Sequence, residues 1–150
     1  MLQLLRTNSE HSDFISLVKL LDADLKEKDG EDHSFYAQFN KIDLIRHAIL
    51  AYWEGIPVGC GAIKAFDADT MEVKRMYVEP AFRGKQIATK ILVALENWAK
   101  ELAYTRCVLE TGKRQPEAIA LYTKNNYVRI PNYGQYKNVE NSVCFEKMIL

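Results

Sequence analysis

The chain has 150 residues, 48% hydrophobic and 27% charged, with 20 Lys and Arg against 20 Asp and Glu. This length predicts one domain over 1–150 with a proper core, and the balanced charge gives no global pull toward nucleic acid or an anionic membrane. No apolar run is long enough to span a membrane, no signal-peptide pattern opens the chain, and Cys60, Cys107 and Cys144 read as buried reduced thiols, so a cytoplasmic protein without disulfides or a metal site is expected.

Leu2 to Arg6 reads as a first strand. Ser9 to about Lys28 reads as a helix, because Phe14, Leu17, Val18, Leu21 and Leu25 fall on one face, and Asp29-Gly30 stops it. Glu31 to Asp43 reads as a short helix or ordered loop, in which Phe35, Tyr36 and Phe39 either line a pocket or pack on the core. His47 to Trp53 and Val58 to Phe66 are strands joined by the turn Glu54-Gly55-Ile56-Pro57. After a second turn at Asp67 to Thr70, Glu72 to Val78 is a third strand, which makes an antiparallel meander. Period-two alternation puts Glu72 on one face with Met76 and Val78.

Gln86 to Leu102 is the strongest helix, with Ile87, Ile91, Leu95, Trp98 and Leu102 at helical spacing. Arg106 to Glu110 is the next strand, and a strand–helix–strand crossover makes it the parallel neighbour of Glu72 to Val78. Pro116 opens a helix running to about Asn125, and Asn126 falls where a left-handed cap belongs. Tyr127 to Ile130 and Ser142 to Ile149 close the sheet, with a polar, Tyr-rich loop from Pro131 to Asn141 between them. His11, His33 and His47 sit in surface or edge positions.

The stretch with the most chemistry is Val78 to Ala88. A turn carrying Arg83, Gly84 and Lys85 at a helix N-terminus suits a polyphosphate, because free N–H groups and the positive end of the helix dipole point at the anion. The backbone from Arg83 through Gly84, Lys85, Gln86, Ile87 and Ala88 to Thr89 is the expected cradle.

Two motifs in order, Arg83-Gly84-Lys85-Gln86-Ile87-Ala88 and Ala118-Ile119-Ala120-Leu121-Tyr122 followed by Asn126-Tyr127, resemble the signatures of the GNAT superfamily of acyl-CoA-dependent N-acyltransferases. The chain departs from them at Gln86 and Asn126, where the family has Gly, and at Gln115, where the family often has Asn. The resemblance implies an α/β (α+β) fold: a mixed, mostly antiparallel sheet with a splayed parallel strand pair and flanking helices. It implies acetyl-CoA as cofactor, a homodimer as a possible assembly, and acetyl transfer to a primary amine of a small molecule or peptide. It also implies that the backbone of Met76 and Val78 pairs with pantetheine, with the Val78 N–H facing the thioester oxygen. Gln86 still offers its N–H to phosphate if its φ is negative.

For a base, Glu72 is the first candidate and Glu110 the alternative; for the acid that protonates the thiolate, the resemblance points to Tyr122. Acceptor walls are expected from Phe35, Tyr36 and Phe39 with Glu31 and Asp32, and from Tyr133 and Tyr136 of the later loop. A non-catalytic acyl-CoA-binding or sensor module stays open beside the enzyme, because of Gln86.

Overall fold

The hydrophobic periods of the chain resolve into one seven-stranded sheet in a computed structural model that describes residues 1–29 and 45–150. In chain order the elements are β1 (Leu2–Thr7), α1 (Ser12–Asp29), β2 (His47–Trp53), β3 (Ile56–Ala65), β4 (Thr70–Val78), α2 (Ile87–Glu101), β5 (Arg106–Gly112), α3 (Pro116–Lys124), β6 (Val128–Ile130) and β7 (Ser142–Met148). The strand order is β1-β2-β3-β4-β5-β7-β6, antiparallel throughout except for the β4–β5 pair. This is the mixed, mostly antiparallel fold that the sequence predicts.

Each face has its own apolar layer. Phe14, Leu17, Val18 and Leu21 of α1 bury against Ala48, Leu50, Cys60, Ala62 and Tyr77. Ile87, Ile91, Leu92 and Leu95 of α2 bury on the opposite face with Ile49, Ile63, Met71, Val73 and Leu109. α2 ends at Glu101, one residue short of the expected end, and Leu102 beyond it is exposed. The β2–β3 turn is shorter than expected, since Trp53 already pairs with Ile56, and Glu54 and Gly55 take the positive φ that a tight hairpin turn requires.

Two irregularities shape the centre. On β4, Lys74 stands opposite Ala62 and Tyr77 opposite Cys60, so Arg75 and Met76 together face Gly61 alone. This is a β-bulge, with Arg75 at φ 60°. Gly61 allows it: a Cβ there would lie 2.5 Å from the Met76 sulfur and 2.8 Å from Ile91. The bulge resets the alternation, so Met71 and Val73 before it share the α2 face with Met76 and Val78 after it. Glu72 therefore points to the α1 face, not to the face of Met76 and Val78 as simple alternation predicts. The second irregularity is that β4 and β5 pair only at Thr70–Arg106, Met71–Cys107 and Glu72–Val108. Beyond Val108, β5 continues as the partner of β7 alone, and the two parallel strands part into a fork.

Candidate active site

The fork opens into a cleft of about 550 Å³, bordered by Leu21 and Lys28 of α1, Met76 and Val78 of β4, the turn into α2, and Tyr122 and Lys124 of α3. A smaller chamber of about 110 Å³ adjoins it at Met76, Gln115 and Tyr122, and Glu110 and Arg75 line its inner end. Residues from both faces of the sheet meet along one cavity, which only a gap between strands permits.

At the mouth, Gly84 has φ 80° and Gln86, the N-cap of α2, has φ 62°. The condition of a negative φ at Gln86 is not met: Gln86 adopts the left-handed conformation in which Gly is ordinarily used, at a cost of about 1 kcal/mol. The first intrahelical bond of α2 is Lys90 N–H to Gln86 C=O, so the amides of Ile87, Ala88 and Thr89 have no partner within the helix. Arg83 donates from Nε to the Val78 carbonyl at 2.8 Å, and its guanidinium lies 5.8 Å from the Tyr77 ring centroid. Lys85 turns elsewhere, with its ammonium 5.5 Å from the centre of the Trp53 ring and outside the cleft lining. Glu79 donates its N–H to Val58 of β3, so strand alternation turns the Val78 N–H the other way, toward the fork.

Tyr122 is 7% exposed and borders both chambers. Burial, and next the Glu110 carboxylate, push its phenol well above the ordinary tyrosine range, so it stays protonated. Its position comes from the end of α3. Asn126 takes φ 71°, its N–H bonds the Thr123 carbonyl at 3.1 Å, and the Tyr127 N–H bonds the Tyr122 carbonyl at 3.0 Å. These are the paired bonds of a Schellman cap, and the accompanying apolar contact is the edge-on meeting of the Tyr122 and Tyr127 rings, centroids 5.8 Å apart. The left-handed role expected of Asn126 is what the structure contains.

The two candidate carboxylates differ. Glu110 lies on the open arm of β5, lines the inner chamber and accepts a 2.6 Å hydrogen bond from the Ser142 hydroxyl. Glu72 lies at the last paired rung, is 8% exposed, accepts a 2.6 Å bond from the Tyr133 hydroxyl, and has the Lys74 ammonium at 3.6 Å. It is absent from the lining of both chambers. Tyr133 packs edge-on against Phe66 and Tyr136, and Tyr136 is only 3% exposed, so these two rings pack behind the carboxylates and do not line the cleft. Phe35, Tyr36, Phe39, Glu31, Asp32 and His33 lie outside the described residues.

Sequence reading missed Lys28 and Lys124, which bring two cations to the cleft; Lys28 is held at 3.0 Å by Asp24 one turn before it. The signal for Lys124 was present, since Glu117, Ala120, Leu121 and Lys124 form one helical stripe along the cavity.

The Acetyltransferase (GNAT) family model matches residues 14–127. An IAA acetyltransferase of Azospirillum brasilense is 39% identical over 101 residues, covering 66% of this chain and 65% of that protein, so the chain spans less than two thirds of this relative's length. A solved structure from Klebsiella pneumoniae, assigned to the acyl-CoA N-acyltransferases, is 31% identical and superposes over 100% of this chain and 99% of its own with a TM-score of 0.84. The PaiA N-acetyltransferase of Thermoplasma acidophilum, solved with coenzyme A, shares the fold at 18% identity, with a TM-score of 0.74 over 99% of each chain. With the bulged central strand, the forked parallel pair and the glycine turn at the head of α2 in place, the chain belongs to the GNAT family of acetyltransferases.

Proposed function

We propose that this chain is an N-acetyltransferase that moves an acetyl group from acetyl-CoA to a primary amine of a small molecule or an exposed peptide, by direct attack in a ternary complex. The observation that carries the reading is the fork itself, with an anion-binding turn at its mouth and a buried phenol and a carboxylate at its inner end. The coenzyme A complex of the Thermoplasma protein of the same fold supports the choice of cofactor.

The residues fit the cofactor. The turn from Gly84 to Thr89, with the amides of Ile87, Ala88 and Thr89 unpaired within the helix, is the pyrophosphate cradle. The Arg83 N–H is bonded to the Pro80 carbonyl, so Arg83 contributes its guanidinium, beside Lys124. Lys28 is paired with Asp24 on the same wall, and Gln115 lies on the adjoining one. Lys85 contributes backbone only. Met76 and the Val78 N–H lie on the part of β4 that β5 does not pair, and offer that edge to an extended pantetheine arm, as a sheet does to an added strand, while the Val78 carbonyl is held by Arg83. When bound, the thioester supplies the acetyl carbon that the amine attacks, and its sulfur leaves with a proton. The Val78 N–H steadies the carbonyl oxygen as negative charge develops. Glu110 takes the proton lost by the amine, directly or through water, and Tyr122 gives its hydroxyl proton to the sulfur, so one proton is removed as another is delivered. Glu72, bonded to Tyr133, braces this wall without touching the reacting atoms. The binding-module reading drew on Gln86; its left-handed conformation, the one for which Gly is used, supports cofactor binding, and the placement of Tyr122 and Glu110 along the same cavity favours the enzyme.

The test is release of the coenzyme A thiol in the presence of a panel of small primary amines and amino-terminal peptides. Amine-dependent release is expected, with Tyr122→Phe lowering kcat by ~10²-fold and leaving acetyl-CoA affinity within about twofold. An unchanged kcat removes Tyr122 from the chemistry. Bound acetyl-CoA with no amine-dependent release across the panel makes the binding module the better reading.

A further inference from the structure

Behind Tyr122, on the side away from the cleft, lies a polar cluster that the proposed chemistry does not use. Glu96 of α2 points into the sheet and is 5% exposed. One of its oxygens accepts the Tyr127 hydroxyl at 2.9 Å, and the other accepts the Lys147 ammonium of β7 at 2.9 Å. The Lys147 ammonium also stands 5.7 Å from the centre of the Tyr127 ring. Tyr127 is thereby fixed at its hydroxyl, at its ring face, and at its backbone N–H, which is bonded to Tyr122. Its ring meets that of Tyr122 at a steep angle, centroids 5.8 Å apart, beside the Phe145 ring, whose centroid is 6.3 Å from that of Tyr122.

We infer that Glu96 is a positioning residue for Tyr122, acting through Tyr127 and steadied by Lys147. The inference rests on the reading of Tyr122 as the proton donor. A buried ion pair roughly offsets its own desolvation, so apolar packing would hold α2 to the sheet at least as well. What apolar packing cannot do is fix the rotation of a tyrosine ring by a bond to its hydroxyl. Glu96 ties three elements, α2, β7 and the cap of α3, to one ring, and that ring, with that of Phe145, packs against the proposed acid.

The test places 3-fluorotyrosine at position 122 and reads its fluorine resonance beside steady-state kinetics, in wild type, Tyr127→Phe, Glu96→Leu and Glu96→Gln. Thermal melts identify any variant that fails to fold; Tyr127→Phe, which removes one oxygen, carries the test if Glu96→Leu does not fold. In Tyr127→Phe and Glu96→Leu the resonance is expected to shift or broaden, and kcat to fall about fivefold to tenfold with the acetyl-CoA KM within twofold. Glu96→Gln, which keeps an acceptor for the Tyr127 hydroxyl, is expected to restore most of both. In a Tyr122→Phe background, Tyr127→Phe is expected to cost nothing further in kcat. An unchanged resonance in folded Tyr127→Phe overturns the inference, as does an equal loss of kcat in both backgrounds. A shifted resonance with kcat unaffected leaves the positioning intact and sinks the proton-donor reading.

Discussion

The two ends of the β4–β5 pair are built from the same two strands and do opposite work. At the closed end, Thr70, Met71 and Glu72 are in register with Arg106, Cys107 and Val108, and polar side chains are bonded to protein partners: Arg106 to Thr70, Glu72 to Tyr133. At the open end, a bulge turns Met76 and Val78, β5 leaves β4, and backbone and Glu110 line a cavity. The difference is that the closed end pairs its backbone across two strands, whereas the open end borders a cavity, so that Glu110, though bonded to Ser142, lines that cavity while Glu72 does not. Glu72 and Glu110 are one chemical group placed on either side of that boundary.

The sharpest way to break the comparison is to neutralise each carboxylate. Glu110→Gln is expected to lower turnover by ~10²-fold, most at low pH, where free amine is scarce, while Glu72→Gln costs less than about threefold. The full pH–rate profiles of both variants check this, and the reverse order would restore Glu72 as the base. A second effect concerns the buried acids on both sides of the boundary. Burial holds the Cys60 and Cys107 thiols up at about 12 and raises the Tyr122, Tyr127, Tyr133 and Tyr136 phenols. The folded chain therefore keeps protons that the unfolded chain loses. Stability is fully present below the ordinary thiol value of 9.0 and is lost as pH rises toward 12. Melts followed by circular dichroism are expected to drop on the order of 10 °C across that window. The smallest effect is at the turns: Gln86→Gly and Ala103→Gly, both relieving left-handed residues, are each expected to add about 0.5–1 kcal/mol in urea titrations, and Asn126→Gly less.

The elements were legible because Phe14 to Leu21 and Ile87 to Leu95 carry helical periods and the strands carry turn signals at their ends. The turn at the head of α2 was legible because charge, Gly and a helix start coincide at Arg83 to Ile87. The facing of Glu72 was not, because a bulge of one residue at Arg75 and Met76 inverts every side chain beyond it, and what marks it is the absence of a Cβ on Gly61, a strand away. The destination of Lys85 was not legible either, since its partner Trp53 is distant in sequence. The Glu96–Tyr127–Lys147 cluster joins three elements, and Glu96 alone reads as one more charge on a helix that is otherwise amphipathic.

The central claim is that the open end of β4 and β5 is an acetyl-CoA site. Calorimetric titration with acetyl-CoA, with ATP as the control ligand and Arg83→Ala as the control protein, tests it most directly. Micromolar binding of acetyl-CoA, weak or no binding of ATP, and about tenfold weaker binding of acetyl-CoA to Arg83→Ala are the predicted results. Equal binding of both ligands, or no binding of acetyl-CoA, would contradict it.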